Sequence, residues 1–126
     1  MSRTLIGSSG VFEDGYGYSR AVRVGNMVAV AGTCARDHVI KEDAYEQALD
    51  AIRVIGEALE EAGASLADVI RTVTYVTDIN DMYQVAQAHR ETFGDIKPVA
   101  TLVEVSALAD PRYKVEIQVD AVVDAA

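Results

Sequence analysis

One cysteine and two histidines are the only thiol and imidazole groups in this 126-residue sequence. No spacing among them resembles a zinc site, so no metal and no cofactor is expected. With Cys34 alone an internal disulfide is impossible, and the cytoplasm is the default compartment. Basic residues are scarce as well: 11 stand against 20 acidic ones, for a net charge of −9. Phosphate backbones repel such a chain at long range, and Arg20 and Arg23 alternate along a strand pattern instead of forming a patch. Nucleic acid is therefore not an expected partner. The longest uncharged apolar run, Met27 to Ala35, is far too short to span a bilayer, and the first ten residues hold no apolar signal segment. Neither membrane association nor secretion is expected. "GYGYSR", from Gly15, has G-x-G without a third glycine or a long preceding strand, and no P-loop or nucleophile elbow occurs.

What is present is an ordinary globular balance, half hydrophobic and a quarter charged, with no linker or repeat. One domain over residues 1–126 is expected. Two β-rich runs, Tyr18–Val24 and Met27–Thr33, flank Gly25-Asn26, a hairpin signal because glycine accepts the positive φ of tight turns. Asp43 and Glu46 have capping-box spacing at the head of a helix. Its predicted inner stripe is Tyr45, Ala48, Leu49, Ile52, Ile55 and Leu59, with Glu46, Asp50, Arg53, Glu57 and Glu60 outside and Gly63 as the stop. A strand over Val69–Thr77 and a second helix from Asp81 to Phe93 follow. "PVATLVEV", Pro98 to Val105, is a strand without a clearly polar face. "YKVEIQVDAVV" alternates strictly, Tyr113, Val115, Ile117, Val119 and Ala121 inward and Lys114, Glu116, Gln118 and Asp120 outward.

The order is an α+β sheet with two helices, which cover one face of the sheet and hardly two. Yet the runs at 27–31 and 99–105 are apolar on both sides. A second copy of the chain is the simplest cover, in a closed symmetric oligomer. Among groups that carry chemistry, Glu116 reads either as a solubilising strand residue or as a site carboxylate. Glu104 suits a structural hydrogen-bonding role, His89 a packed core or interface histidine, and Cys34 an inert small hydrophobe.

Four separated motifs then converge: "YSRAVRVGNMVAVAGT", "GASLADVIRTVTYVTDINDM", "FGDIKPVATLVEV" and "KVEIQVDAVV". In order and spacing they resemble the RidA/YjgF family, also labelled L-PSP endoribonuclease, over nearly the whole chain. The resemblance implies a chorismate-mutase-like α+β fold, a homotrimeric barrel with sheets inward and helices outward, and small-molecule pockets at the subunit interfaces. It also implies hydrolysis of reactive enamines and imines to ketoacids and ammonia. By that resemblance Glu116 orients or activates water, and Tyr18, Gly32, Thr33, Ala100, Thr101 and Leu102 line the substrate pocket. The family's carboxylate-gripping arginine falls on Ala100, and Leu102 stands where active members often carry cysteine. A guanidinium fork is not replaced by a methyl group, and losing one charge-assisted bond costs on the order of 1.5–3 kcal/mol. Arg36 and Arg112 are the candidate substitute cations. A small-molecule-binding or regulatory trimer without turnover is the alternative. The ribonuclease label finds no support in the acidic charge or in a histidine pair.

Overall fold

The computed structural model describes residues 2–7 and 11–124. Among them six strands form one sheet: β1 (Arg3–Ile6), β2 (Ala21–Val24), β3 (Met27–Thr33), β4 (Val69–Val76), β5 (Val99–Glu104) and β6 (Val115–Val122), in the order β1-β2-β3-β6-β4-β5. Three helices accompany them: α1 (Val11–Tyr16), α2 (Ala44–Glu61) and α3 (Met82–Phe93). The mixed α+β single sheet is as expected. The helix count is not: α1 makes three instead of two. β1 and α1 are 4 and 6 residues long, too short for a periodic pattern to reveal them. Every pairing is antiparallel except β4–β5, which α3 connects as a crossover.

Local chemistry explains the boundaries. Gly25 takes φ 59° in the β2–β3 turn, and Gly63 takes φ 82° just past α2. The Asp43 carboxylate accepts the Glu46 backbone N–H at 2.9 Å, capping the first turn of α2. The stripe of α2 is broader than its apolar periodicity. Ala48, Ile52, Ile55 and Leu59 are buried as expected, but so are Gln47 and Asp50, while Tyr45 and Leu49 are only partly covered. Asp50 thus belongs inside, not on the outer face. It receives Arg36 through Nη2 at 2.6 Å, Nε at 3.2 Å and the backbone N–H at 2.8 Å. Burial on its own would raise the Asp50 carboxyl, but these bonds outweigh it and hold it below its ordinary value.

α2 and α3 cover one face of the sheet. Val28, Val30, Val76, Val115, Ile117, Val119 and Ala121 are buried beneath them. The opposite face carries Val73, Tyr75, Glu116, Gln118 and Asp120 by register, and its apolar margins are open: Met27 is 50% exposed, Val99 64% and Val103 41%. β5 is also an edge strand, and among the described residues nothing covers its Val99–Val103 side.

Gln47 ties α2 to two distant loops. Its amide nitrogen donates toward the carbonyls of Ile40, Glu42 and Arg112 at 2.9–3.2 Å, and its oxygen accepts the Lys114 N–H at 2.9 Å. Replacing it by leucine orphans these buried backbone groups. Gln47→Leu is expected to lower the urea unfolding free energy by about 2–4 kcal/mol with an unchanged m-value. An unchanged midpoint would contradict this role.

Candidate functional site

The ladder between β3 and β6 shifts register between Val30 and Thr33. At the break Gly32 lies against the Glu116 side chain, so that a Cβ there would overlap the carboxylate and displace it from this position. Glu116 is thereby laid across the β3 backbone on the sheet's open face. Its Oε1 accepts a hydrogen bond from the Cys34 thiol at 3.5 Å.

Arg20 organises the remainder of this cluster. Its Nη1 donates to the Gly32 carbonyl at 2.9 Å and to Thr33 Oγ1 at 2.7 Å, and its Nη2 donates to the Tyr18 hydroxyl at 3.1 Å. The guanidinium also lies 5.5 Å from the Tyr18 ring centroid. Glu13 of α1 approaches Arg20 Nε at 4.0 Å, both side chains being largely buried. The Thr33 hydroxyl donates to the Ala31 carbonyl at 2.7 Å. Tyr18, Gly32, Thr33 and Glu116 therefore come together, joined by Cys34, expected as an inert small hydrophobe, and by Arg20, which composition and spacing did not single out. One signal did exist for Arg20: it stands two residues from Tyr18 on an extended segment and shares its face.

Burial pushes the Cys34 thiol well above its ordinary value, and the charge and hydrogen bond of Glu116 push it further; Arg20 opposes them. The sulfur is a protonated donor at neutral pH, not a nucleophile. The cluster offers a held carboxylate backed by a buried cation, an arrangement suited to orienting water.

Ala100, Thr101 and Leu102 lie elsewhere. They border a groove of about 410 Å³ between β5 and α3, on the helix side of the sheet. In register, Thr72 pairs with Ala100 and Thr74 with Leu102, and both threonines are buried in the groove's base. His89 Nε2 is 2.8 Å from Thr72 Oγ1, and its ring centroid is 4.8 Å from that of Phe93. Burial lowers the His89 imidazole from its ordinary value of 6.5, leaving it neutral at pH 7. Within one chain this groove and Glu116 lie on opposite faces, separated by β4. Neither expected substitute cation serves either cluster. Arg36 is committed to Asp50 and lies 3.6 Å from Glu57, and Arg112 is doubly bonded to Asp110 at 2.8 and 3.0 Å. Glu104 does take a structural part, accepting the Ile79 N–H at 2.9 Å.

The Cys34 environment has a measurable consequence. In native protein at pH 8, iodoacetamide should alkylate Cys34 far more slowly than a cysteine peptide. Glu116→Gln removes the charge that helps hold the thiol up, and should speed the reaction. Rapid alkylation of the native wild-type protein would contradict the geometry.

Comparison with known proteins places these features in a family. The family model described as Endoribonuclease L-PSP matches residues 13–123. A RutC family protein of Pyrococcus abyssi is 42% identical over 95 residues, covering 72% of this chain and 75% of its own. A mouse 2-iminobutanoate/2-iminopropanoate deaminase is 30% identical over 110 residues, covering 83% and 80%. The crystal structure of a YjgF/YER057c/UK114 family member from Mycobacterium tuberculosis superimposes with a TM-score of 0.91 at 49% identity, covering 97% of this chain and 100% of its own. On the family model, these relatives and the shared sheet, the chain belongs to the L-PSP endoribonuclease family, the RidA/YjgF group.

Proposed function

We propose that this protein is a cytoplasmic homotrimer that hydrolyses small reactive imines or enamines, at sites completed between copies of the chain. The observation that carries the reading is the Glu116 carboxylate, pinned over Gly32 on an open sheet face and given a single side-chain donor among the described residues, Cys34. Glu116 accepts a proton from water as the oxygen adds to the carbon of the C=N bond, and the nitrogen takes a proton from solvent as the C=N π bond breaks. The neutral carbinolamine then collapses: Glu116 returns its proton to the nitrogen, the C–N bond breaks to release ammonia, and the hydroxyl gives its proton to solvent as the carbonyl forms. Arg20, through Gly32 and Thr33, is a positioning residue for the strand end on which Glu116 rests.

Two further facts support the assembly. The exposed valines of β5 and Met27 of β3 need a cover, and a second copy supplies a closed one. The β5–α3 groove opens at the sheet edge, so a neighbour's edge can bring it to the Glu116 face. The similarity to the mouse imine deaminase favours C=N hydrolysis as the reaction class. Ala100 favours the other reading, a trimer that binds a small metabolite without turnover, because it removes the guanidinium expected to grip a carboxylate.

The discriminating assay is ketoacid release from imines generated in situ by an amino-acid oxidase. Wild-type protein should accelerate release, and Glu116→Gln should reduce kcat/KM by about 100-fold or more, since the amide takes no proton from water. Equal rates with and without wild-type protein would replace the hydrolytic reading by the binding one.

A further inference from the structure

We propose that Arg90 is the anion anchor of the β5–α3 groove, and that the groove takes 2-imino or 2-oxo acids with a bulky apolar side chain. The hydrolytic reading supplies only the reaction here; the binding stands on the groove itself. Arg90 is the one charged residue lining it. Exposed on α3, it makes no ion pair or side-chain hydrogen bond among the described residues, whereas Arg20, Arg36 and Arg112 are each bound to a carboxylate or to carbonyl and hydroxyl oxygens. Arg3 and Arg71 are likewise unbonded among the described residues, but neither lines the groove; Arg90 is the unbonded guanidinium placed there. It can offer a carboxylate two parallel hydrogen bonds, the interaction that Ala100 cannot make.

The apolar wall sets the other half of the specificity. Ala86 and Ala100 contribute only methyl groups, so the groove keeps its volume of about 410 Å³, and Val85 and Leu102 give it apolar walls above the Thr72 and Thr74 base. An alanine-derived imine would leave most of that space without contacts, and a branched chain fills it. His89 is neutral and bonded to Thr72, so it does not compete with Arg90 for the charge. The carboxylate therefore sits at the Arg90 rim and the side chain over Leu102.

Stable ketoacids test this without turnover. Calorimetric titration of the intact oligomer with 4-methyl-2-oxopentanoate and with pyruvate should show the longer acid binding about 10-fold tighter or better, on the added methylenes. Arg90→Ala should weaken the longer acid by ~10- to 100-fold, with Arg90→Lys in between, on the strength of charge-assisted bonds. The methyl ester of the longer acid should bind wild-type and Arg90→Ala protein alike. Arg90 is exposed, so loss of fold is not an expected confounder; circular dichroism checks it. Arg90-dependent binding by a protein that releases no ketoacid from imines would support this inference while overturning the hydrolytic reading. Binding equal in wild-type and Arg90→Ala protein, pyruvate binding as tightly as the longer acid, or no binding at millimolar concentration would overturn it.

Discussion

Among the described residues β6 is fully buried on one face and partly open on the other, and the rest of the structure follows from that asymmetry. Val115, Ile117, Val119 and Ala121 are buried under the helical layer, and no backbone rotation can free them without emptying the core. Because strand side chains alternate, Glu116, Gln118 and Asp120 are forced onto the other face. β6 is also central, paired with β3 on one side and β4 on the other. It therefore fixes Glu116 against the β3 strand end and Gln118 against Tyr75, whose hydroxyl donates to it at 2.8 Å. The register shift at Val30/Thr33 and the missing Cβ of Gly32 are what let the carboxylate lie flat there.

The same layering divides the chemistry. On the open face stand a carboxylate, a protonated thiol and a buried guanidinium. On the helix side stands a groove with apolar walls, a neutral imidazole and a free guanidinium, but no carboxylate to activate water. Each half lacks what the other holds. An assembly that sets the β5 edge of one copy against the β3–β6 face of the next unites them, and it covers Val99, Val103 and Met27 in doing so. Stability and site formation then have the same cause.

Much of this was legible in the sequence where it is periodic. The alternation of β6, the Gly25-Asn26 turn, the Asp43 cap and the Gly63 stop each follow from local rules and appear as expected. The apolar character of both sides of β5 has no explanation inside its own segment: among the described residues the Val99–Val103 side stays uncovered. Gln47 and Asp50 were not legible as buried residues. Their partners, Ile40, Arg112, Lys114 and Arg36, arrive from distant loops, and periodicity assigns polar residues to solvent. The engagement of Arg36 with Asp50 was hidden for a related reason, since only the folded chain brings that carboxylate near; Arg112 bonds Asp110, two residues away. On a helix surface an arginine is ordinary in sequence; the groove beside Arg90 is what distinguishes this one.

The most direct test of a site shared between copies is complementation. Glu116→Gln disables the open-face half, and Ala100→Asp places a repelling charge in the groove; each oligomer alone should be inactive toward imines. When the two chains are unfolded together and refolded as mixed oligomers, about one quarter of the interfaces in a cyclic assembly should pair an intact Glu116 with an intact groove. The account predicts recovery of activity at about that fraction of wild type. Mixed oligomers that form and stay inactive would contradict it, because every chain then carries one lesion in a site of its own.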